Sequence, residues 1–128
     1  MAAAKTEGPN SQLVRQMFLG GETMNAHNMA KFFAEGAHYQ FSNFPVVYGP
    51  QGITKGSDEF LKKVKKLVHN IENLWEIDEE TVVVEMTVQY DRHDGKSFTL
   101  PVCDTIKIRD GKVQSLKIYM DIGPVFAE

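Results

Sequence analysis

From Ser11 the apolar positions Leu13, Val14, Met17 and Phe18 recur at helical spacing, and Gly20-Gly21 predicts the end of that helix, where glycine tolerates left-handed backbone. A second helix is predicted from a Thr23 cap, with Ala26, Met29, Ala30 and Phe33 on one face and Gly36 closing it. Ala37 to Phe44 is aromatic-rich and alternates as a strand does, and a segment punctuated by Tyr48, Gly49, Pro50 and Gly52 follows. Ser57 predicts the cap of a third helix, with Asp58 and Glu59 in its first turn, where the helix dipole favours negative charge. Phe60, Leu61, Val64, Leu67 and Val68 form its apolar face, and the lysines at 62, 63, 65 and 66 fall opposite as a solvated surface. After Val68 the period changes to two. Strands are predicted over His69 to Ile77, Thr81 to Tyr90, Ser97 to Ile108 and Lys112 to Ile122, with turns at Asp78-Glu79-Glu80, Asp94-Gly95 and Asp110-Gly111.

Helices followed by a meander of strands predict an α+β domain: three N-terminal helices packed on one face of a curved, mainly antiparallel sheet. Residues 1–9 are small, polar and Pro/Gly-ended and read as a disordered leader, so a single domain is expected over 10–128. A chain of 128 residues, 42% hydrophobic, supports one core, whereas two cores would each be marginal. Fourteen Lys and Arg against 17 Asp and Glu leave a formal charge of -3, which argues against a nucleic-acid partner. The single cysteine, Cys103, excludes an intrachain disulfide, and no Cys-x-x-Cys is present. No apolar run approaches the roughly 20 residues of a membrane span, and the polar start lacks the apolar core of a signal peptide, so a cytoplasmic protein without membrane contact is expected.

Strand parity isolates the candidate chemistry. Leu100, Val102, Ile106 and Ile108 share one parity, and Asp104 falls on it. A carboxyl there is costly unless bonded, and burial raises its pKa, so a neutral acid able to donate a proton is one reading and a hydrogen-bonded structural aspartate the other. The partner of Asp104 depends on the hairpin at Asp94-Gly95. A two-residue loop puts Glu85 opposite Asp104, whereas a three-residue loop puts Val84, Met86 and Val88 opposite Asp104, Val102 and Leu100. Apolar matching favours the second. In the first strand of the meander His69, Ile71, Asn73, Trp75 and Ile77 share the apolar parity, so His69 is a candidate acid-base partner and Trp75 an aromatic wall. A histidine bonded to a backbone carbonyl and a packed tryptophan are the simpler readings. His27, His38 and His93 have no partners at metal-ligand spacing, and neither a metal nor a cofactor is expected. Cys103 takes the outward parity and no pattern marks it as a nucleophile.

The order of elements, the run from "HNIENLWEI" to "YMDIGPVF" and especially "IKIRDGKVQSLKIYMD" resemble the SnoaL-like group of the nuclear transport factor 2-like superfamily, over about residues 11–126. The resemblance implies a cone-shaped fold enclosing a pocket between sheet and helices, in a superfamily of isomerases, polyketide cyclases, epoxide hydrolases and non-enzymes. The steroid isomerase pattern places its general-base aspartate at Phe41 and its tyrosine at Met17, both absent, and its protonated aspartate at Asp104, which is retained. The polyketide cyclase pattern places its aspartate at Ile118 and a histidine at Asp104. The limonene epoxide hydrolase pattern places Arg and Asp at Glu85 and Thr87 and a second Asp at Ile118. None of the three sets is intact. The last comparison also places position 85 in the pocket, against the register that apolar matching favours.

Two functions are therefore expected to compete. One is a cofactor-independent isomerase, cyclase or hydrolase for a small, apolar, oxygenated molecule, with Asp104 as acid or oxyanion donor and His69 or Glu85 as its proton-transfer partner. The other is a non-catalytic domain that binds an apolar ligand or dimerises. Met17, Tyr39, Phe41, Tyr48, Trp75 and Ile118 are the expected lining. A sheet face without helices, together with the Pro124-Val125-Phe126 tail, makes a homodimer the expectation.

Overall fold

The computed structural model describes residues 7–127, which form helix α1 (Pro9–Glu22), one turn α2 (His27–Ala30), strands β1 (Phe33–Phe41) and β2 (Val47–Tyr48), helix α3 (Gly49–Leu61), strands β3 (Val64–Glu76), β4 (Thr81–Arg92), β5 (Ser97–Arg109) and β6 (Lys112–Tyr119), and a terminal turn α4 (Gly123–Phe126). Of the leader read over 1–9, positions 1–6 lie outside the described residues, and Pro9 already opens α1. One six-stranded sheet runs in the order β2-β1-β6-β5-β4-β3, and every neighbouring pair is antiparallel except β1 with β6. This is the expected α+β architecture, and the core lies between the helices and the inward residues Val82, Val84, Ile106 and Leu116.

Three elements differ from the sequence reading. Helix α1 continues through Gly20-Gly21 to Glu22, because Gly20 serves an approach and not a stop: a Cβ there would lie 2.3 Å from the Asn28 carbonyl oxygen. The second helix is a single turn, and Gly36, at φ 75°, falls where the β1–β6 register shifts, so it relieves an irregularity inside a strand. The third helix begins at Gly49-Pro50 and ends at Leu61, and Ser57 lies inside it. Val64, Leu67 and Val68 belong to β3. The register of β3 on β4 slips between Val64 and Lys66 and again between Ile71 and Asn73, so Val64 and Leu67, and likewise Ile71 and Leu74, point inward three residues apart. A bulged strand thereby imitates helical spacing.

The hairpin joining β4 to β5 closes with Arg92 N donating to Lys96 O at 2.8 Å, leaving a three-residue loop with Gly95 at φ 90°. Val84 pairs with Asp104, Met86 with Val102 and Val88 with Leu100, the register that apolar matching favoured. Glu85 pairs with Cys103 on the opposite face. The β5–β6 turn is the two-residue Asp110-Gly111, both at positive φ, as such hairpins require.

Candidate functional site

Asp104 is placed by the sheet alone. Its row runs Phe41, Ile118, Asp104, Val84 and Leu74 across five strands, all on the concave face beneath the helices. Alternation makes the position inward and the neighbouring strands make it apolar, so the carboxyl is 1% exposed. Its Oδ1 has no hydrogen-bond partner among the described residues. Burial alone pushes the Asp104 carboxyl well above the usual carboxylate range, which favours its protonated, hydrogen-bond-donating form.

The carboxyl forms part of the wall of a cavity of about 70 Å³ that also includes Tyr39, Phe41, Ser57, His69, Tyr90 and Ile118. Burial raises the Tyr39 phenol, and the charge that Asp104 would carry raises it further. Ser57 Oγ, beside that phenol but without a hydrogen bond of ordinary geometry, pulls weakly the other way. Tyr90 is raised by burial, then by Tyr39 and Asp104, and its hydroxyl reaches Met120 Sδ at 3.6 Å. Apart from the Asp104 carboxyl and the His69 ring, the polar side chains of the inner wall are the Tyr39, Ser57 and Tyr90 hydroxyls, and its lining contains no Lys or Arg. Such a surface suits a neutral oxygen acceptor surrounded by hydrocarbon.

A second cavity of about 380 Å³ lies outward and shares Tyr39, Phe41, Ser57 and Phe60 with the first. The dividing wall is aromatic: Phe60 packs on Phe41 at 5.1 Å, on Tyr90 at 5.6 Å and on Phe126 at 5.9 Å between ring centroids. Phe126 comes from α4, where Arg92 donates to the Val125 and Ala127 carbonyls and Lys63 lies 5.8 Å over the Phe126 ring. The tail is therefore engaged by its own chain, with Val125 buried.

The opposite side of the inner cavity is built on α1. Phe18 stacks on the His69 ring at 4.6 Å, and one helical turn later Glu22 Oε2 accepts both the His69 backbone N–H and the ring Nδ1, each at 2.8 Å. Burial, the largest influence on Glu22, pushes its carboxyl up, but the two His69 hydrogen bonds and the attraction of that ring outweigh it, so the group lies below its usual value. Glu22 escaped the sequence reading because Gly20-Gly21 suggested a helix end. Its spacing of four from Phe18 was the available signal.

Asp104, His69, Tyr39, Phe41 and Ile118 thus share one cavity. Four expected site residues do not. Met17 is fully buried in the core beside the cavity, and Tyr48 is exposed on β2, edge-on to His38 at 5.0 Å. Trp75 pairs with Val83 on the outer face because the bulge after Ile71 inverts the parity on which the inward reading depended. Glu85 lies on that same face, accepting from Asn73 Nδ2 at 3.2 Å. Among the described residues no group of His, Cys, Asp and Glu gathers at metal-binding spacing, and no helix is long and apolar enough to cross a membrane.

Residues 14–116 match the family described as a SnoaL-like domain. Solved structures of the same fold include a protein described as a SnoaL-like polyketide cyclase from Jannaschia sp. CCS1, 16% identical, covering 98% of this chain and 94% of that one with a TM-score of 0.81. An NTF2-like protein of unknown function from Burkholderia pseudomallei is 14% identical over 94% of this chain and 100% of its own, with a TM-score of 0.83. An LEH-like epoxide hydrolase of M. tuberculosis is 15% identical over 90% of this chain and 84% of its own, with a TM-score of 0.74. No curated protein matches the sequence.

Proposed function

The chain belongs to the SnoaL-like domain family, and from that premise we propose that it is a cofactor-independent enzyme of the isomerase, cyclase or hydrolase kind. Its substrate is a small, largely apolar molecule carrying a carbonyl or related oxygen. Asp104 donates a hydrogen bond or proton to that oxygen, and His69 is the proton-transfer partner across the cavity. The observation that carries this reading is a carboxyl 1% exposed, with Oδ1 unpartnered among the described residues, on a cavity wall otherwise made of hydrocarbon, hydroxyls and the His69 ring. A satisfied structural aspartate would have its oxygens bonded to the backbone. Cyclase and hydrolase relatives, and a neighbour of the same fold co-crystallised with polyporic acid, support a pocket for oxygenated carbon skeletons. Action in the cytoplasm and assembly as a homodimer through the outer sheet face, where Trp75 and Val83 meet, complete the proposal.

The test is a panel of cyclic enones and aromatic ketones presented to the native chain, Asp104→Asn and Asp104→Leu. A lost hydrogen bond to a buried oxygen is worth about 1.5 kcal/mol or more, so Asp104→Leu binds the preferred ketone roughly tenfold more weakly. Asp104→Asn retains shape and a donor but loses turnover, because an amide cannot release a proton. Unchanged turnover in Asp104→Asn removes proton donation by Asp104, and unchanged turnover in Asp104→Leu removes its catalytic role altogether. Binding by the native chain without turnover of any member establishes the second reading, a ligand-binding pocket, which the apolar residues at 17, 41 and 118 favour.

A further inference from the structure

Among the described residues, His69 is the only polar side chain of the inner cavity held by an acidic residue of another element. One carboxylate oxygen of Glu22 accepts from two atoms of the same histidine, its main-chain N–H and its ring Nδ1, and Phe18 stacks on the ring face. The main-chain donor fixes where Oε2 must lie, and Oε2 then determines which ring nitrogen carries the hydrogen, because a carboxylate can only accept. The stacked Phe18 removes the remaining freedom, rotation of the ring about its own axis. Among the described residues Nε2 has no hydrogen-bond partner.

We infer that Glu22 is the positioning residue that holds His69 as the Nδ1–H tautomer and presents Nε2 to the cavity as the proton acceptor opposite Asp104. The inference rests on the proton-transfer reading of the cavity and narrows it. A base on the α1 side and a hydrogen-bond donor on the β5 side form a push-pull pair, suited to removing a proton from carbon while negative charge develops on an oxygen. The pair therefore selects substrates with an acidic C–H conjugated to a carbonyl or to an oxygen leaving group. It does not require a nucleophilic water, which distinguishes elimination and isomerisation from hydrolysis. Glu22 keeps its charge throughout and stabilises the imidazolium that forms when Nε2 takes the proton.

Ring nitrogens in the full chain with ¹⁵N-labelled histidine, observed at about pH 8 where imidazoles are largely neutral, report the tautomer directly. The native His69 is expected to carry its hydrogen on Nδ1. Glu22→Ala is expected to shift it towards the Nε2–H form that predominates in water. Glu22→Gln retains Nδ1–H, because the main-chain N–H of His69 forces the amide oxygen, and not its NH₂, towards the ring. A native Nε2–H tautomer, or one unchanged in Glu22→Ala, overturns the positioning role. The base role is read with 5-nitrobenzisoxazole: Nε2 takes the ring C–H proton, that electron pair completes the nitrile, the N–O bond breaks, and its pair remains on the phenolate oxygen beside Asp104. The native chain is expected to exceed His69→Gln in this elimination, and Glu22→Ala to lose roughly tenfold or more in kcat with KM within about twofold, the scale at which oriented histidines depend on their carboxylate partners. A native rate no higher than that of His69→Gln overturns it. Because the tautomer is read in the absence of any ligand, its failure is separate from a failure of Asp104 in the ketone panel.

Discussion

Replacing Asp104 by Asn changes how stability depends on pH, and the sign follows from burial. The folded chain holds the Asp104 proton to a higher pH than the unfolded chain, whose aspartates release theirs near the ordinary value of about 3.9. Between those two values the native state binds more protons than the unfolded state, so stability falls as pH rises, and it levels off once the folded carboxyl has also ionised. Below the unfolded value the contribution is fully present. Each pH unit spent in that window removes about 1.4 kcal/mol. The unpartnered Oδ1 adds a cost independent of pH, about 1–3 kcal/mol for a buried acceptor without a donor. Asp104→Leu should therefore be more stable than the native chain near neutral pH by at least the latter amount, a rise in Tm of about 3–5 °C for each kcal/mol in a chain of this size. Urea denaturation from about pH 4 to pH 8 on the native chain, Asp104→Asn and Asp104→Leu measures both effects. The native curve is expected to fall with pH relative to both variants. Parallel curves across that range would refute the claim that the folded carboxyl is protonated, and a less stable Asp104→Leu would show that the group is satisfied.

Three further outcomes test the frame of the site. Glu76 Oε2 accepts from Ser11 N at 3.1 Å and Ser11 Oγ at 2.7 Å, so a strand carboxylate caps the start of α1, and Glu76→Ala should lose about 1–2 kcal/mol in urea denaturation. Gly20→Ala should be destabilised by about 1–3 kcal/mol because its Cβ would meet the Asn28 carbonyl, whereas Gly56→Ala, with open space in a helix interior, should gain about 0.5–1 kcal/mol; equal effects would deny the close approach of α1 and α2. Trp75→Glu on the outer sheet face is expected to shift sedimentation from dimer to monomer without altering ketone binding, and a native chain sedimenting as a monomer would remove that interface.

Strand alternation is local, so Asp104 on the apolar parity was legible from Leu100, Val102, Ile106 and Ile108 without knowledge of the partners. The β4–β5 register was legible for the same reason: matching apolar residues chose the three-residue loop, and with it the outward side of Glu85. Trp75 was misread because a bulge is a property of two strands together. Once the register slips after Ile71, each later side chain of β3 changes face, and Leu74 replaces Asn73 at the core. The helical reading of Val64, Leu67 and Val68 failed through the other bulge of the same strand.

What the chain determines by itself is the alternation that buries Asp104, the turns that order the meander and the SnoaL-like pattern along it. Periodicity and turn chemistry act over a few residues and need no partner. What only the tertiary structure decided is the company that Asp104 keeps. Glu22 lies 47 positions from His69, Phe126 comes to Phe60 from the far end of the chain, and the distance between them in sequence carries no information about their contact. Those meetings depend on the curvature of the sheet and on how closely α1 and α2 approach over Gly20, and both are settled by packing the whole core at once.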